Sequence, residues 1–386
     1  MPARPHHFCT IVDEGFLLRA LVFYRSLMEV SADSHLFVAC FDERSKALLD
    51  ALRLPRCTTL SLEEIERSDP DLRGVKPSRS QAEYAQTAKP SVCLHVLARE
   101  AGIDGITFLD ADLFFLHDPE PLFEELGDCS VLIVPHRRAT APEWTELYGI
   151  YNSGTVTFRR DERGLEVLRW WRARCIEWCF QTPEDGKYTD QRYLNDWPER
   201  FDGVHVLQHL GGGLAPWNGS QYSFEDRGGT LLVEGVAAIF YHFQSLQLYR
   251  GITTLRRLGL MARTYRFTPR PVPLVWSYRY LYPVSSVEDR LFWQPYARRL
   301  SEGLLELRRV DPGFDAGFVD ERAAARRELE RRVRRRAKRV RRASRPTVRR
   351  VRRSWRQAAK GVRKRVRSAR RGFLRAGGRV LRHFDR

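Results

Sequence analysis

The chain has 386 residues, of which 43% are hydrophobic and 30% are charged, and its formal net charge is +18. This length excludes a mini-protein that depends on disulfides or metals for stability, and it allows one large α/β core or two smaller ones. The seven cysteines are an odd number without a CxxC pair, which predicts free, buried thiols in a reducing compartment. No apolar stretch reaches 18 residues and MPARPHHFCTIVDEGF lacks a secretory signal pattern, so we expect a soluble, cytoplasmic protein.

The positive charge is concentrated at the C-terminal end of the chain. Residues 320–386 contain 29 Lys and Arg against 5 Asp and Glu, a net charge of +24, which leaves residues 1–319 with −6. An asymmetry of this size indicates that the two segments have different partners. The sequence therefore predicts a mildly acidic folded body and a strongly basic tail.

The first part of the body alternates strand and helix patterns. The β-rich run HFCTIV (7–12) precedes the helical pattern DEGFLLRALVFYRSLMEV, and the unit repeats with HLFVACF (35–41) and a helix over 43–52. CTTLSL (57–62) follows as a strand, and SDPDLRG has the composition of a polar loop. A helix over 81–100, interrupted near Pro90, leads into GITFLDADLFFL.

Further strand patterns follow in the second part of the body. They lie at SVLIVP (130–135), GTVTFRR (154–160), GVHVLQH (203–209), TLLVEG (230–235) and AAIFYHF (237–243). Such alternation is typical of an α/β fold with a mostly parallel, twisted sheet flanked by helices. Ligands of these sheets bind beyond the carboxyl ends of the strands, so we expect the functional residues there.

Two carboxylates interrupt an apolar strand pattern in ITFLDADLFFLHD, residues 106–118. In a strand, Asp110 and Asp112 project from one face with Cα atoms roughly 6.5–7 Å apart. Adjacent like charges in an apolar setting repel and lose hydration, costs that a shared divalent cation offsets. Oxygen ligands of this kind suit Mg²⁺ or Mn²⁺ bound with a nucleotide diphosphate. The alternative is that Asp110 ends the strand and Asp112 caps a turn, with both side chains solvated.

Several segments together resemble a known enzyme class. TFLDADLFFLHDPEPLFEEL resembles the DxD segment of GT-A glycosyltransferases, especially the retaining family 8 type that includes glycogenin and bacterial lipopolysaccharide galactosyl- and glucosyltransferases. The resemblance continues through QTAKPSVCLHVL, YNSGTVTFRR, YTDQRYLND, HLGGGLAPWN and IFYHF in the family's order, and it covers residues 6–250. It implies a GT-A nucleotide-diphospho-sugar transferase fold and a hexosyltransferase that uses a nucleotide sugar.

The resemblance implies roles for residues that follow the DxD triplet. Asn152, next to Ser153 at a strand entrance, matches a family residue near the donor sugar hydroxyls; an ordinary turn is the alternative. Asp190 matches a family residue near the anomeric carbon, and with Gln191 it forms the candidate catalytic pair. The alternative is that Asp190 lies in the first turn of a helix, where the helix dipole favours a carboxylate. His242 matches a metal ligand, whereas a lone histidine in an apolar strand is more often a core residue.

Upstream positions are implied to bind the donor. Lys89 matches a family lysine that faces the donor phosphates, and Thr10 and Asp13 lie where the family holds the nucleotide base and ribose. Phe16 replaces a usual tyrosine, which permits stacking on uracil but removes a hydroxyl group.

The segment after His242 departs from the family pattern. It reads HFQSLQLYRGITTLRR and lacks the lysine of a Lys-Pro-Trp segment that grips the diphosphate. Arg250, Arg256 or Arg257 could replace the missing charge. The departure is the one feature that favours the alternative interpretation, a catalytically weak binding protein that keeps the scaffold.

The acceptor site is expected to include Trp217 and Asn218 in the Gly-rich segment GGGLAPWN. Sugars pack on exposed aromatic faces, and this tryptophan lies outside any periodic element. Together with the carboxylate pair, the resemblance implies a metal-dependent glycosyltransferase that moves a sugar from a nucleotide sugar, a UDP-sugar in the family, to a glycan or lipid-linked acceptor with retention. Such a reaction belongs to polysaccharide biosynthesis.

The predicted organisation is a glycosyltransferase domain over 1–260, a helical extension over 261–319 and an Arg-rich tail over 320–386. Small or apolar residues recur every three or four positions from Leu329 to Phe373, a stripe with arginine on the remaining faces. This pattern favours a helix on an anionic membrane surface, at the inner face of the membrane. Nucleic-acid binding, which is not expected, and a disordered polycation are the alternatives.

Overall fold

The computed structural model describes residues 5–138, 142–244, 246–249, 264–267, 274–278 and 284–320, with seven further residues between 322 and 333. Residues 1–253 and 261–320 form one compact unit, and residues 254–260 and 321–386 form a second. The predicted membrane-binding stripe lies almost entirely outside the described residues. Within the described part, no helix has both the length and the apolar character needed to span a membrane.

The described strands and helices alternate along the first half of the chain. The strands are β1 (His7–Val12), β2 (His35–Cys40), β3 (Cys57–Ser61), β4 (Gly105–Leu109), β5 (Leu113–Phe115), β6 (Val131–Pro135), β7 (Tyr151–Arg159), β8 (Val204–Val206), β9 (Phe224–Arg227), β10 (Thr230–Val233), β11 (Val236–Ala237), β12 (Phe240–His242), β13 (Leu246–Tyr249), β14 (Thr264–Phe267), β15 (Leu274–Tyr278) and β16 (Phe318–Val319). The helices are α1 (Leu17–Val30), α2 (Glu43–Leu52), α3 (Leu62–Ser68), α4 (Pro70–Val75), α5 (Gln81–Arg99), α6 (Glu120–Leu126), α7 (Pro142–Tyr148), α8 (Glu162–Glu177), α9 (Trp197–Arg200), α10 (Ser286–Glu288) and α11 (Gln294–Val310).

The central sheet has the strand order β3-β2-β1-β4-β7-β6-β8. Strands β1 to β4 run parallel, β8 is parallel to β6, and β7 is antiparallel to both of its neighbours. This confirms the predicted mostly parallel α/β sheet. Because β7 runs in the opposite direction, its first residues lie beside the carboxyl end of β4, and this pairing positions the site described below.

Two buried apolar clusters cover the two faces of this sheet. One cluster contains the buried side chains of α1, β5, β12 and α11, and the other contains those of α5 and α8. Strands buried on both faces consist of nearly continuous apolar residues, which is why β1, β2 and β6 were recognisable in the sequence. The polar residues of the site emerge where these strands end.

Several helix starts have the caps that their sequences specify. The Asp42 carboxylate accepts the Ser45 N–H at the start of α2, and Ser80 forms a reciprocal capping box with Glu83 at the start of α5. At α6 the cap position is Pro119, which has no side-chain cap, and the preceding Asp118 carboxylate accepts the Glu120 N–H at 2.9 Å. These contacts fix the helices that follow the strands.

Four expectations about local structure were wrong. Asp110 and Asp112 do not lie within one strand but in a turn between β4 and β5. The supposed loop SDPDLRG falls in α3 and α4, whose starts are capped by Ser61 and Asp69. Helix α5 continues through Pro90 without interruption. The segment 261–319, expected to be helical, contains strands β14, β15 and β16 as well as α11.

Candidate active site

Three side chains with metal-binding groups converge at the end of β4. Asp110, Asp112 and His242 each offer one ligand atom, and these atoms lie within 4.8 Å of one another. The His242 Nε2 atom is 3.0 Å from Asp112 Oδ1 and 3.8 Å from Asp110 Oδ2. Two carboxylates and one imidazole form a donor set that suits Mn²⁺ or a similar divalent cation. The residues predicted as metal ligands are therefore brought together.

Backbone pairing explains how this cluster forms. The Leu113 N–H donates to the Asp110 carbonyl at 3.3 Å, so the chain turns between the two aspartates. Strand β12 then pairs antiparallel with β5 and sets His242 opposite Leu113, while the Phe243 N–H donates to the Asp112 carbonyl at 2.9 Å. The strand pairing thus holds the imidazole beside a carboxylate that is distant in sequence.

Burial and charge act in opposite directions on the titration of these groups. Burial alone would raise the pKa of Asp112, but the attraction and hydrogen bond of His242, with a contribution from Arg19, lower that pKa below its usual value. Burial alone would lower the pKa of His242, but Asp112 raises it. Asp112 and His242 therefore stabilise each other's charged forms.

Lys89 connects this cluster to Asp190. Its Nζ atom lies 3.0 Å from Asp110 Oδ1, 3.3 Å from Asp190 Oδ2 and 3.3 Å from the Ser153 carbonyl oxygen. The lysine is buried in α5, and burial would lower its pKa, but the two carboxylates raise the pKa well above its usual value. A permanently charged ammonium group is therefore fixed between two carboxylates.

Asp190 is buried within the irregular segment that precedes Arg192–Asp196. Burial raises its pKa above the usual range even though Lys89 attracts the charged form. Its backbone carbonyl accepts the Trp171 Nε1–H at 2.9 Å, and Thr189 before it adopts a left-handed φ of 46°. A positive φ is unusual for a β-branched residue and is maintained here by the surrounding packing. Thr189 therefore does not start a regular helix.

Gln191 lies beside Asp190, but its side chain contacts the neighbouring chain segment. Its Nε2–H donates to the Tyr148 carbonyl at 2.6 Å, and its backbone N–H donates to the Thr189 hydroxyl at 3.4 Å. The tyrosine belongs to α7, and its ring packs edge-on against Tyr188 at 4.7 Å. Gln191 thus connects α7 to the Asp190 segment.

The start of β7 contributes Asn152 and Ser153. The Asn152 Oδ1 atom accepts the Gly154 N–H at 2.8 Å, and its Nδ2 lies 3.4 Å from His136 Nε2. A Cβ atom on Gly154 would lie 2.5 Å from Asp110 Oδ2, so only glycine leaves room for that carboxylate. The two residues lie inside β7 rather than at a turn, and both are buried.

His136 is a site residue that the sequence reasoning missed. Its Nδ1 atom is 3.1 Å from the Ile150 carbonyl, an acceptor, so Nδ1 carries the proton and Nε2 accepts from Asn152. Burial lowers its pKa well below the usual value, which keeps the ring neutral. His136 directly follows the predicted strand 130–135, so the rule that ligands bind beyond strand ends could have identified it.

The predicted acceptor-binding surface at Trp217 and Asn218 is wrong. Trp217 is 3% exposed, and its ring packs edge-on against His136 at 5.2 Å and His242 at 5.3 Å. Asn218 is fully buried; its Oδ1 accepts the Ala215 N–H, and its Nδ2 donates to two backbone carbonyls. Trp217 therefore packs against His242, Asn218 holds the backbone of His136 and of the Gly-rich segment, and neither side chain presents a free face.

The nucleotide-binding residues predicted at β1 occupy two different environments. Asp13 lines a cavity of about 340 Å³ together with Phe16, Arg19 and Leu246. Its carboxylate accepts the Phe16 N–H and the Gln81 amide, and burial raises its pKa. Thr10 is fully buried, and its hydroxyl has no hydrogen-bond partner among the described residues.

Arg19 is a second residue that the sequence reasoning missed. It is buried in α1, and it donates to the carbonyls of Gly15 at 3.0 Å and Leu246 at 2.9 Å. Its position in a regular amphipathic helix gave no signal in the sequence. The arginines proposed to replace the missing phosphate-binding lysine, Arg250, Arg256 and Arg257, lie outside the described residues.

Comparisons with known proteins identify the family. Residues 31–197 match the model of the nucleotide-diphospho-sugar transferase family. The chain is 33% identical over 265 residues to the uncharacterized protein YfnF of Bacillus subtilis (strain 168), covering 67% of this chain and 86% of that protein. It is 30% identical over 326 residues to the uncharacterized protein YfnD of the same organism, and this match covers 82% of this chain and 96% of YfnD.

Solved structures also resemble the chain. The galactosyltransferase LgtC, in complex with donor and acceptor sugar analogs, is 15% identical with a TM-score of 0.43, covering 62% of this chain and 87% of that chain. Mouse xyloside xylosyltransferase 1 is 15% identical with a TM-score of 0.39, and the match covers 63% of this chain and 98% of the mouse chain.

The mostly parallel sheet carries the predicted carboxylate and imidazole cluster at the end of β4. The chain belongs to the nucleotide-diphospho-sugar transferase family. The predicted enzyme class, a glycosyltransferase, is thereby confirmed, and the narrower assignment to family 8 stays a prediction.

Proposed function

We propose that the enzyme transfers a hexosyl group from a UDP-sugar to a glycan or lipid-linked acceptor, with retention, and that it depends on Mn²⁺ or Mg²⁺. The observation that carries this proposal is the continuous arrangement of charged groups in the site. Asp110, Asp112 and His242 form the metal-binding set, and Lys89 lies between Asp110 and Asp190 at 3.0 and 3.3 Å. The Lys89 side chain thus lies between the candidate cation site and the buried carboxylate of Asp190.

This arrangement suits the departure of a nucleoside diphosphate. Asp110, Asp112 and His242 would hold a divalent cation, which would supply charge neutralisation for the leaving diphosphate. The Lys89 ammonium is positioned to add a second positive charge, and it holds the Asp110 carboxylate on the metal side of the site. Asp13 and Thr10, at the end of β1, are proposed to contact the nucleotide base and ribose.

Asp190 is proposed as the group that acts at the anomeric carbon. Its burial raises the free energy of its charged form, which a positive charge developing on the sugar would offset. Three roles are open to Asp190: it acts as a nucleophile, it stabilises the oxocarbenium ion, or it binds the sugar. Asn152, held by His136, and Ser153 are proposed to contact the sugar hydroxyls, and Gln191 to position the Asp190 segment.

A donor screen tests the proposed function. Full-length protein is incubated with UDP-, GDP-, ADP- and TDP-sugars, each with Mn²⁺, Mg²⁺ or EDTA, and the released nucleotide is measured without an acceptor. We expect slow hydrolysis of one or two UDP-sugars that EDTA abolishes. Hydrolysis that is equally fast in EDTA would contradict the proposed metal dependence. Hydrolysis confined to donors without uridine would contradict the proposed UDP-sugar donor. Proton NMR of the first-formed sugar product reports retention or inversion.

The basic tail is proposed to bring the enzyme to its acceptor. Residues 320–386 carry a net charge of +24, and residues 1–319 carry −6, so anionic lipid would attract the tail and repel the body. We propose a division into a transferase body (1–319) and a tail that binds the inner face of an anionic membrane. A lipid-linked acceptor would then be concentrated at the same surface.

A further inference from the structure

The cavity at the end of β1 contains a buried cation. The cavity has a volume of about 340 Å³, and the residues that line it are Asp13, Gly15, Phe16, Arg19, Leu246, Gln247 and Gly317. Arg19 is the basic residue among them, and it is 7% exposed. A buried charge loses its hydration, a cost that an opposite charge or a full set of hydrogen bonds has to offset. The contacts of Arg19 therefore indicate what this cavity accommodates.

The protein satisfies only part of the Arg19 guanidinium group. Its two Nη atoms donate to the carbonyls of Gly15 at 3.0 Å and Leu246 at 2.9 Å. These contacts leave further N–H donors of the guanidinium group for a ligand. Among the described residues, no carboxylate lies within ion-pair distance of Arg19. Neutral oxygens thus hold the guanidinium group in place, but no side chain in this part of the structure neutralises its charge.

The position of Arg19 in α1 adds to this imbalance. Arg19 is the third residue of the helix, and the first turn contains no acidic residue. Since the N-terminal end of a helix dipole is positive, a cation in the first turn is disfavoured. The guanidinium group also lies over the Phe16 ring, 4.7 Å from its centre, and this contact leaves the edge of the guanidinium plane available. A bound anion would offset both the buried charge and the unfavourable dipole.

Arg19 lies between the two ends of the proposed donor site. Asp13, which is assigned above to the nucleotide base and ribose, lines the same cavity. On the other side, the Leu246 N–H donates to the Phe243 carbonyl at 3.2 Å, and the Phe243 N–H donates to the Asp112 carbonyl at 2.9 Å. One turn of the chain thus joins the residue that Arg19 binds to a candidate metal ligand.

The electrostatic effects of Arg19 agree with this position. Burial raises the pKa of Asp13, and Arg19 is among the groups that oppose this rise. Burial would also raise the pKa of Asp112, but His242 and, to a smaller extent, Arg19 lower it. The positive charge of Arg19 therefore acts on the nucleoside end and on the metal end of the proposed donor site.

The segment after His242 supplies no cation of its own at this place. Residues 243–249 read FQSLQLY and contain neither lysine nor arginine. A nucleoside diphosphate with its base at Asp13 and its phosphates at Asp112 spans this segment and brings negative charge to it. Lys89 contacts Asp110 on the far side of the metal cluster, whereas Arg19 lies on the nucleoside side.

We propose that Arg19 binds the diphosphate of the donor from the nucleoside side. Its remaining N–H groups donate to phosphate oxygens, and the contacts with the Gly15 and Leu246 carbonyls hold the planar guanidinium group in the orientation that this requires. This inference rests on the proposed function and makes it more specific, because it assigns a phosphate-binding cation to α1.

The test separates binding of the phosphates from binding of the nucleoside. Full-length protein is titrated with UDP by calorimetry and with uridine by NMR, each with Mn²⁺ and again in EDTA. The variants are R19Q, R19K, which keeps the positive charge, and R25Q, a control at an exposed arginine of the same helix that pairs with Glu306. All proteins retain the basic tail, so its contribution is common to every titration. A melting curve reports whether each variant folds.

We expect R19Q to lose about 10- to 100-fold in affinity for UDP, as for the loss of hydrogen bonds to charged groups, while its affinity for uridine changes by less than about twofold. R19K should lose less affinity for UDP, and R25Q should match the wild type. If Arg19 only joins the two carbonyls, UDP and uridine will lose affinity by the same factor. Equal losses, or UDP affinity that R19Q retains, would overturn the inference.

R19K decides the matter if R19Q does not fold. Because lysine lacks the planar fork of the guanidinium group, we expect a loss of affinity confined to UDP. No loss in R19K, or equal losses for UDP and uridine, would then count against the inference.

The same titrations distinguish this inference from the proposed function. Wild-type protein that binds UDP only with Mn²⁺, together with an R19Q variant that binds UDP equally well, keeps the proposed function and loses this inference. Binding of UDP that depends on Arg19 but not on Mn²⁺ keeps the inference and removes the proposed metal dependence. Wild-type protein that does not bind UDP removes both.

Discussion

Asp190 is the residue whose charge the proposed chemistry needs most. Asp190→Asn keeps its size, and Lys89 keeps Asp110 as a partner, so we expect Mn²⁺-dependent UDP affinity to stay within about twofold. Donor hydrolysis should fall by about 100-fold or more, the usual loss when a group that stabilises developing charge is removed. Nucleotide release and calorimetry on the same preparation separate the two effects.

Asp185→Asn is the matched control for this prediction. Asp185 is exposed in the same segment and has the left-handed backbone, with φ 46°, that asparagine tolerates. Its variant should keep wild-type hydrolysis. If Asp190→Asn also hydrolyses the donor at the wild-type rate, Asp190 is a structural partner of Lys89 and the catalytic assignment is wrong.

Gly154 allows a second test at the level of one atom. The added Cβ of Gly154→Ala would lie 2.5 Å from Asp110 Oδ2 and 2.7 Å from Asn152 Oδ1, so both side chains must move. We expect the affinity for Mn²⁺ with UDP to fall by about 10- to 100-fold, the range seen when groups that orient metal ligands are disturbed. Calorimetry measures this loss, and Gly74→Ala, which meets no atom within 4 Å, should leave affinity unchanged. Unaltered affinity in Gly154→Ala would remove Asp110 from the metal site.

At the scale of elements, the antiparallel pair β5–β12 and the Gly-rich segment 211–218 hold His242, the candidate metal ligand. Trp217→Leu removes the ring that packs against His242 and His136. Because the ring is buried, we expect a loss of about 2–4 kcal/mol in the free energy of unfolding, and a smaller rise in melting temperature on adding Mn²⁺ and UDP. Urea unfolding and thermal melts measure both. A variant of wild-type stability with a weaker affinity for saccharide alone would restore the predicted acceptor role.

Most elements of the body could be predicted because their signals are local. Helix α2 has the predicted bounds, since Asp42 caps it and its apolar residues recur at helical spacing. The turn at Asp110 was hidden because β4 and β5 on its two sides are both buried and apolar, so the sequence reads as one strand. The capping box at Ser61 could have been recognised, whereas the course of α5 through Pro90 depends on tertiary packing.

The site could be predicted only in part, for a related reason. The candidate metal ligands Asp110, Asp112 and His242, together with Lys89, were predicted because their motifs matched a known order, and the structure places these four residues next to one another. The contact of His242 with Asp112 depends on the register of β12 on β5, which no local pattern specifies. The burial of Trp217 is likewise not specified by any local pattern. Its Gly-rich surroundings suggested an exposed ring, whereas the ring is buried against His242.

At the scale of the whole molecule, the charge distribution separates the transferase body from the tail. Residues 334–386 contain 24 Lys and Arg and one acidic residue, Asp385. A chain ending at Val333 should lose binding to vesicles of anionic lipid while keeping Mn²⁺-dependent UDP affinity, because every candidate site residue precedes Val333.

Binding of the full chain to these vesicles should weaken with added salt, since screening acts over about 8 Å at physiological ionic strength. Co-sedimentation with a duplex-DNA competitor measures this; tighter binding to DNA than to lipid would contradict the membrane proposal.

The central claim is that Asp110, Asp112 and His242 bind a divalent cation that in turn binds the donor diphosphate. Calorimetry of UDP with and without Mn²⁺, on wild-type protein and on Asp112→Asn, tests it most directly. We predict that wild-type protein binds UDP at least about tenfold more tightly with Mn²⁺, and that the variant keeps its fold but loses this dependence. Equal dependence on Mn²⁺ in the two proteins would contradict the account.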